Sequence, residues 1–167
     1  LKVREVYGML LIVHKDASGN DLPDIEMSPE LGLALSRTFG IVNYAPARLM
    51  DREIGGIEEW TARFADEAIA GASTFRVEAR RADKEFPLNS IELNRRLGSI
   101  VFERTHVPVR LQGAERTLHC LIQPTFAALY VNTIQGPGGL PVSTSGHVLL
   151  LLSDGIDSPV AGYLTMR

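Results

Sequence analysis

Six consecutive residues, Gly136-Pro137-Gly138-Gly139-Leu140-Pro141, constrain this chain more than any other feature. Two prolines remove backbone donors, and three glycines have no Cβ to hold a preferred conformation. Neither a helix nor a strand ladder can run through such a segment. The 167 residues are therefore divided there by a loop that reads as an interdomain linker. The residues on its C-terminal side differ in pattern from those on its N-terminal side. Residues 148–152 are continuously apolar with no alternation, which marks a strand buried on both faces, as in parallel α/β sheets. Ser158 can cap the next helix, with Pro159 in its first turn.

Before the loop, the patterns are those of half-buried elements. Residues 1–13 read as one strand, with Val3, Val6, Leu10 and Ile12 among its apolar positions. Residues 17–23 are turn chemistry. Ser28-Pro29-Glu30 opens a helix carrying Leu31, Leu35 and Phe39, which Gly40 closes. Residues 41–49 read as a strand interrupted by Pro46. The spacing predicts an amphipathic helix over 57–71, with Ile57, Trp60, Phe64 and Ala68 on its buried stripe. In residues 74–80, Phe75, Val77 and Ala79 alternate with Arg76, Glu78 and Arg80, a half-buried strand. Asn89 and Glu92 form a capping box for a helix with Leu93, Leu97, Ile100 and Val101 inward. Two more strands cover 116–123, with Leu118, Cys120 and Ile122 on one face, and 126–134.

The composition, 45% hydrophobic and 22% charged, excludes a disordered, collagenous or disulfide-built chain. Cys120 has no internal disulfide partner, no apolar run reaches membrane-spanning length and no signal peptide is visible, so a cytoplasmic location is expected. The chain begins at Leu1 and stops in a helical pattern at Arg167, so it reads as a piece of something longer. The net charge of −3 conceals a cationic middle: residues 74–123 carry 9 basic and 6 acidic side chains. That excess points either to a local polyanion site or to a solvated face of internal Glu–Arg pairs through Glu78, Asp83, Glu92 and Glu103. The four histidines, His14, His106, His119 and His147, are isolated, so no metal site is expected.

Ser153-Asp154-Gly155-Ile156-Asp157-Ser158 lies between the apolar run and a helix N-terminus. Unpaired amides and a positive dipole end favour an anion there, and small residues allow a phosphate close approach. The lysine of the P-loop pattern is missing, but Asp157 could hold a divalent metal on the phosphates. A polar turn before a capped helix is the plainer alternative.

Residues 136–161, GPGGLPVSTSGHVLLLLSDGIDSPVA, closely resemble the tRNA 4-thiouridine synthetases, the ThiI family. There a similar Gly-Pro-Gly-Gly-Leu-Pro linker leads into the nucleotide loop of a PP-loop ATPase domain, usually written SGGxDS. Residues 74–94, TFRVEARRADKEFPLNSIELN, resemble the signature of the family's THUMP RNA-binding domain, and Phe39-Gly40-Ile41-Val42 matches the entry to it. The resemblance implies an α+β ferredoxin-like N-terminal unit over 1–48, an α/β THUMP domain over 49–135, a linker over 136–146, and the first strand and helix of a parallel-sheet PP-loop domain over 147–167. One position departs from the pattern: Asp154 stands where the family has Gly. A carboxylate aimed inward there weakens polyphosphate binding unless a metal bridges it, and one aimed at solvent costs little.

The resemblance implies ATP-dependent thiolation of uridine 8 in tRNA, by adenylation and then attack of a persulfide carried on a cysteine outside this chain. It implies a link to thiamine synthesis, a cysteine desulfurase as sulfur donor, Mg2+ with the ATP, and room for a homodimer. Leu151 and Leu152 would lie against the adenine. Ser153, Asp154, Gly155, Asp157 and Ser158 would surround the phosphates, with Asp157 most needed for activity. Arg76, Arg80, Arg81, Lys84, Arg95 and Arg96 are the candidate tRNA contacts. Cys120, on the apolar face of its strand, reads as core and as a poor nucleophile. A non-catalytic RNA-binding module and a different PP-loop tRNA-modifying enzyme are the alternatives.

Overall fold

The computed structural model describes residues 2–13, 27–141 and 143–166. The turn expected over 17–23 lies outside them. By proximity the chain groups into two compact units, Leu1–Glu26 with Pro46–Asn132, and Met27–Ala45 with Thr133–Arg167. Chain order and spatial grouping therefore differ.

In the first unit, the opening stretch is a hairpin, β1 (Lys2–Val6) and β2 (Met9–Val13), where the sequence pattern suggests one strand. The chain reverses at Tyr7 and Gly8, both at positive φ (50° and 77°), which matches the right-handed twist of a tight hairpin. A tyrosine in the first of those positions hides the turn from a reading based on Asn-Gly or Asp-Gly. The expected strand over 41–49 is broken at Pro46 into β3 (Asn43–Tyr44), in the second unit, and β4 (Ala47–Met50), in the first. Proline lacks the N–H that a continuous ladder needs.

The centre of the first unit is a four-stranded sheet in the order β4-β7-β6-β5, with β5 at Phe75–Arg81, β6 at Arg116–Ile122 and β7 at Ala127–Val131. β5 and β6 are parallel and joined through helix α3 (Ser90–Thr105), and the other pairs are antiparallel. Asn89 accepts from the amides of Ile91 and Glu92 while Glu92 accepts from Asn89 N–H, the capping box the sequence predicts. Helix α2 (Ile54–Ala68) starts three residues earlier than expected. Its deepest stripe is Ile57, Thr61, Ala65 and Ala68, and Trp60 and Phe64 are only half-buried at its edge. Thr61 is tolerated there because its hydroxyl donates to Ile57 O at 2.7 Å. Leu93, Leu97 and Val101 of α3 pack with Phe75, Val77, Leu118, Cys120, Ile122 and Leu129 into one core. That core occupies one face of the sheet, so the alternating residues of β5 and β6 must point to the other.

The second unit contains α1 (Pro29–Arg37), where Ser28 accepts from Leu31 N–H at 3.2 Å as N-cap, and the antiparallel pair β3 with β8 (Ile134–Gln135). It ends in α4 (Asp157–Met166). Residues 148–152 form no strand among the described residues and are exposed, Leu149 at 89% and Leu151 at 81%. A doubly covered strand exists only where neighbours supply its ladder and both covering layers, and no described residue pairs with this segment.

Candidate functional site

Arg76, Glu78 and Arg80 project from β5 on the face turned away from α2 and α3. The Glu78 carboxylate lies between the two guanidinium groups, accepting from Arg80 at 2.7 and 3.0 Å and from Arg76 at 3.2 Å. Arg76 Nε also donates to Thr117 Oγ1 on β6 at 3.0 Å. The hydrogen bond from Arg80 holds the Glu78 carboxyl below its usual value, and Glu78 in turn raises Arg80. Strand register places His119 opposite Glu78, and Tyr130 of β7 opposite His119. The two rings stack at 4.7 Å between centroids and 14° between planes. Burial lowers the His119 pKa, with Glu78 working against it, and burial raises that of Tyr130. His119 Nδ1 is buried and has no hydrogen-bond partner among the described residues. Two guanidinium groups, one carboxylate and a stacked ring pair thus share one patch. Alternation places His119 on the Arg76–Arg80 side, but only the β6–β7 register reveals Tyr130 beside it.

The other expected cations lie elsewhere. Arg81 continues the alternation to the helix side, and its Nη1 donates to the carbonyls of Phe86 (2.9 Å), Leu88 (3.2 Å) and Lys84 (3.4 Å). It ties down the loop between β5 and α3. Arg96 pairs with Glu58 of α2, and two helical turns further along Arg104 pairs with Asp66 at 2.8 Å. Arg96 is therefore half of a clamp between α2 and α3. Lys84 and Arg95 are exposed and make no ion pair among the described residues. Of the acidic partners weighed in the sequence, Glu78 pairs with arginine as described, Asp83 pairs with Arg52, and Glu92 is spent on the helix cap. Sequence reading also missed Arg48, whose guanidinium lies 6.0 Å from the Trp60 ring and 5.6 Å from that of Phe64.

The loop 153–158 has its own internal order. Ser158 Oγ accepts from Ser153 N–H at 3.0 Å and lies 3.2 Å from Ser153 Oγ. Ser158 is thus the second residue of α4 and bonds back to the loop, where the sequence pattern suggests a cap. Gly155 N–H reaches Ser153 Oγ at 3.4 Å. The amides of Asp154, Ile156, Asp157 and Ser158 have no acceptor among the described residues. Asp154 and Asp157 are exposed and unpaired there. Leu151 and Leu152 are exposed just ahead of them. Among the described residues no three His, Cys, Asp or Glu side chains gather into a metal site.

The THUMP domain family matches residues 52–132, and the family described as thiamine biosynthesis protein (ThiI) matches residues 143–167. A probable tRNA sulfurtransferase of Enterococcus faecalis is 40% identical over 143 residues, which is 85% of this chain and 35% of the relative. One from Thermus thermophilus is 41% identical over 148 residues, 87% of this chain and 35% of the relative. By these matches the chain is similar to the N-terminal part of the ThiI-family tRNA sulfurtransferases. It spans about a third of the length of these curated relatives. A crystal structure of a 4-thiouridine synthetase–RNA complex with bound ATP superposes with a TM-score of 0.80 at 27% identity, covering 99% of this chain and 41% of that one. The fold is thus the mixed α/β architecture of the N-terminal region of ThiI proteins, with the sheet bearing Arg76, Arg80, His119 and Tyr130 inside its THUMP domain. No helix among the described residues is long and apolar enough to cross a membrane.

Proposed function

We propose that this chain is the RNA-receiving part of a tRNA sulfurtransferase that forms 4-thiouridine at position 8 of tRNA. The observation that carries the reading is the order of the two family matches in one chain, THUMP at 52–132 and ThiI at 143–167. In this reading Arg76 and Arg80 contact RNA phosphates, and an approaching phosphate displaces the Glu78 carboxylate from them. The interaction is then salt-dependent and largely independent of sequence. The His119–Tyr130 pair beside them offers a stacking surface for an unpaired nucleotide. Lys84 and Arg95 are cations free to add longer-range attraction, while Arg81 and Arg96 serve the fold.

Loop 153–158 is the proposed ATP site. Its four unsatisfied amides at a helix N-terminus suit phosphate oxygens, and the exposed Leu151 and Leu152 offer an apolar surface for the base. Asp157 supplies a hard oxygen for Mg2+. Asp154 is exposed and unpaired among the described residues, so its carboxylate is free to turn to solvent. ATP, when bound, supplies the adenylyl group that makes the uridine oxygen a leaving group. The residues of this chain hold the phosphates and present the RNA, and the sulfur arrives on a cysteine outside them, charged by a cysteine desulfurase. Supply of sulfur for thiamine synthesis belongs to the same proposal.

The test is modification analysis of tRNA from a strain lacking the complete gene, rescued by wild type or by Asp157→Ala. Loss of 4-thiouridine, rescued by wild type alone, is expected. An unchanged level in the deletion strain refutes the reading, and rescue by Asp157→Ala removes Asp157 from the site.

A further inference from the structure

The segment marked by the sequence as a linker is bonded, residue by residue, to the stretch just after α1. Gly40 N–H donates to Gly138 O at 2.8 Å, Gly138 N–H to Ile41 O at 2.9 Å, and Gly136 N–H to Val42 O at 3.0 Å. The β3–β8 pair carries the same ladder on, with Asn43 opposite Gln135 and Tyr44 opposite Ile134. Glycine is required where the two backbones touch. A Cβ on Gly136 would overlap the Ile41 carbonyl oxygen. One on Gly40, at φ +91°, would come within 2.8 Å of Pro141 Cγ. The residue before Gly40 completes the arrangement: Phe39 meets Tyr163 of α4 edge-on, with ring centroids 5.4 Å apart and planes at 62°. α4 is the helix that loop 153–158 opens, and its buried Gly162 lies against Leu150, just ahead of that loop.

We infer that residues 39–42 and 136–141 form a rigid strap, and that Phe39, Gly40 and Gly136 are positioning residues for loop 153–158, acting through Tyr163 and α4. A free Gly-Pro segment would let α4 sample many orientations. Three backbone hydrogen bonds and a ring contact select one, so the loop is presented to its reactants without an entropic search at each turnover. The positioning role rests on the function proposed above for that loop, and the strap itself does not.

Two measurements test the inference. The first is hydrogen exchange on this chain. The amides of Gly40, Gly136 and Gly138 are expected to exchange at least about tenfold more slowly than that of the exposed Gly113, and Gly136→Val should abolish the protection at Gly40 and Gly138. Exchange at the Gly113 rate in wild type overturns the strap. The second measurement uses the complete protein, turning over tRNA and ATP to 4-thiouridine. Phe39→Ala should lower kcat about fivefold, and Gly136→Ala more, while KM for ATP and tRNA affinity stay within about twofold. Phe39→Tyr should restore kcat. Wild-type kcat in Phe39→Ala and Gly136→Ala overturns the positioning role. So does a parallel loss of kcat, ATP binding and tRNA binding, which would mark simple structural damage. Wild-type protein that makes no 4-thiouridine overturns the functional reading, and the positioning role with it, while the exchange result still decides the strap.

Discussion

Replacing Arg81 with Ala should damage the fold, whereas replacing its neighbour Arg80 should damage RNA binding. Arg81 Nη1 has two hydrogens, so its contacts with Phe86 O (2.9 Å), Leu88 O (3.2 Å) and Lys84 O (3.4 Å) amount to two strong bonds at most. A hydrogen bond from a charged donor contributes about 1.5–3 kcal/mol, and the carbonyls left behind in Arg81→Ala lie in a half-buried loop. Because the two bonds share one nitrogen, the expected loss is about 2–4 kcal/mol rather than their full sum. The loop also carries Phe86, 4% exposed, and ends at the Asn89 cap of α3, so its loosening reaches the core. For a unit of this size the midpoint should fall by roughly 10–25 °C. Among the described residues Arg80 bonds only to Glu78, with 71% of its side chain exposed. Such a pair is worth about 0–1 kcal/mol, so Arg80→Ala should leave stability nearly unchanged. It should nevertheless weaken tRNA binding and lower the slope of log affinity against log salt by about 1. Urea denaturation and tRNA titrations at two salt concentrations separate the two variants. An Arg81→Ala protein with a wild-type midpoint and a shallower salt slope would refute the reasoning.

Burial pushes the Cys120 thiol up to about 12, from an ordinary value of 9.0. At pH 8 the native chain should therefore react with an alkylating reagent about a thousandfold more slowly than the unfolded chain, and labelling at equal rates would contradict the burial. The pH dependence should carry the mark of His119. Its folded pKa lies below the ordinary 6.5 because of burial, so below pH 6.5 the unfolded chain binds the proton more readily. The associated stability is complete above pH 6.5 and is lost as pH falls from there through the folded value. Glu78 opposes this shift, while Arg80 and Arg76 add to it. His119→Phe, which keeps a ring against Tyr130, should flatten the stability curve between pH 7 and pH 5, and Glu78→Gln should steepen it. Parallel curves for wild type and His119→Phe would exclude His119 as the source.

What the linear sequence settled by itself was whatever depends on near neighbours. The alternation in 74–80 set which residues of β5 face the core, the Asn89–Glu92 spacing set the start of α3, and the Ser28-Pro29 pair set the start of α1. These are short-range steric and capping effects, so a few residues suffice to determine them. The family resemblance was legible for the same reason, since it rests on three contiguous stretches. Tertiary structure alone decided everything that depends on distant partners. Arg76 and Arg80 look like Arg81 and Arg96 in a charge count, yet the first two share an open patch while the others are consumed by a loop and a neighbouring helix. Tyr130 joins His119 only through strand register. The glycines of 136–141, which on paper promise flexibility, instead allow two backbones to approach closely enough to bond. And 148–152, as apolar as any buried strand, remains outside a sheet among these residues because a strand is a relation between segments and not a property of one.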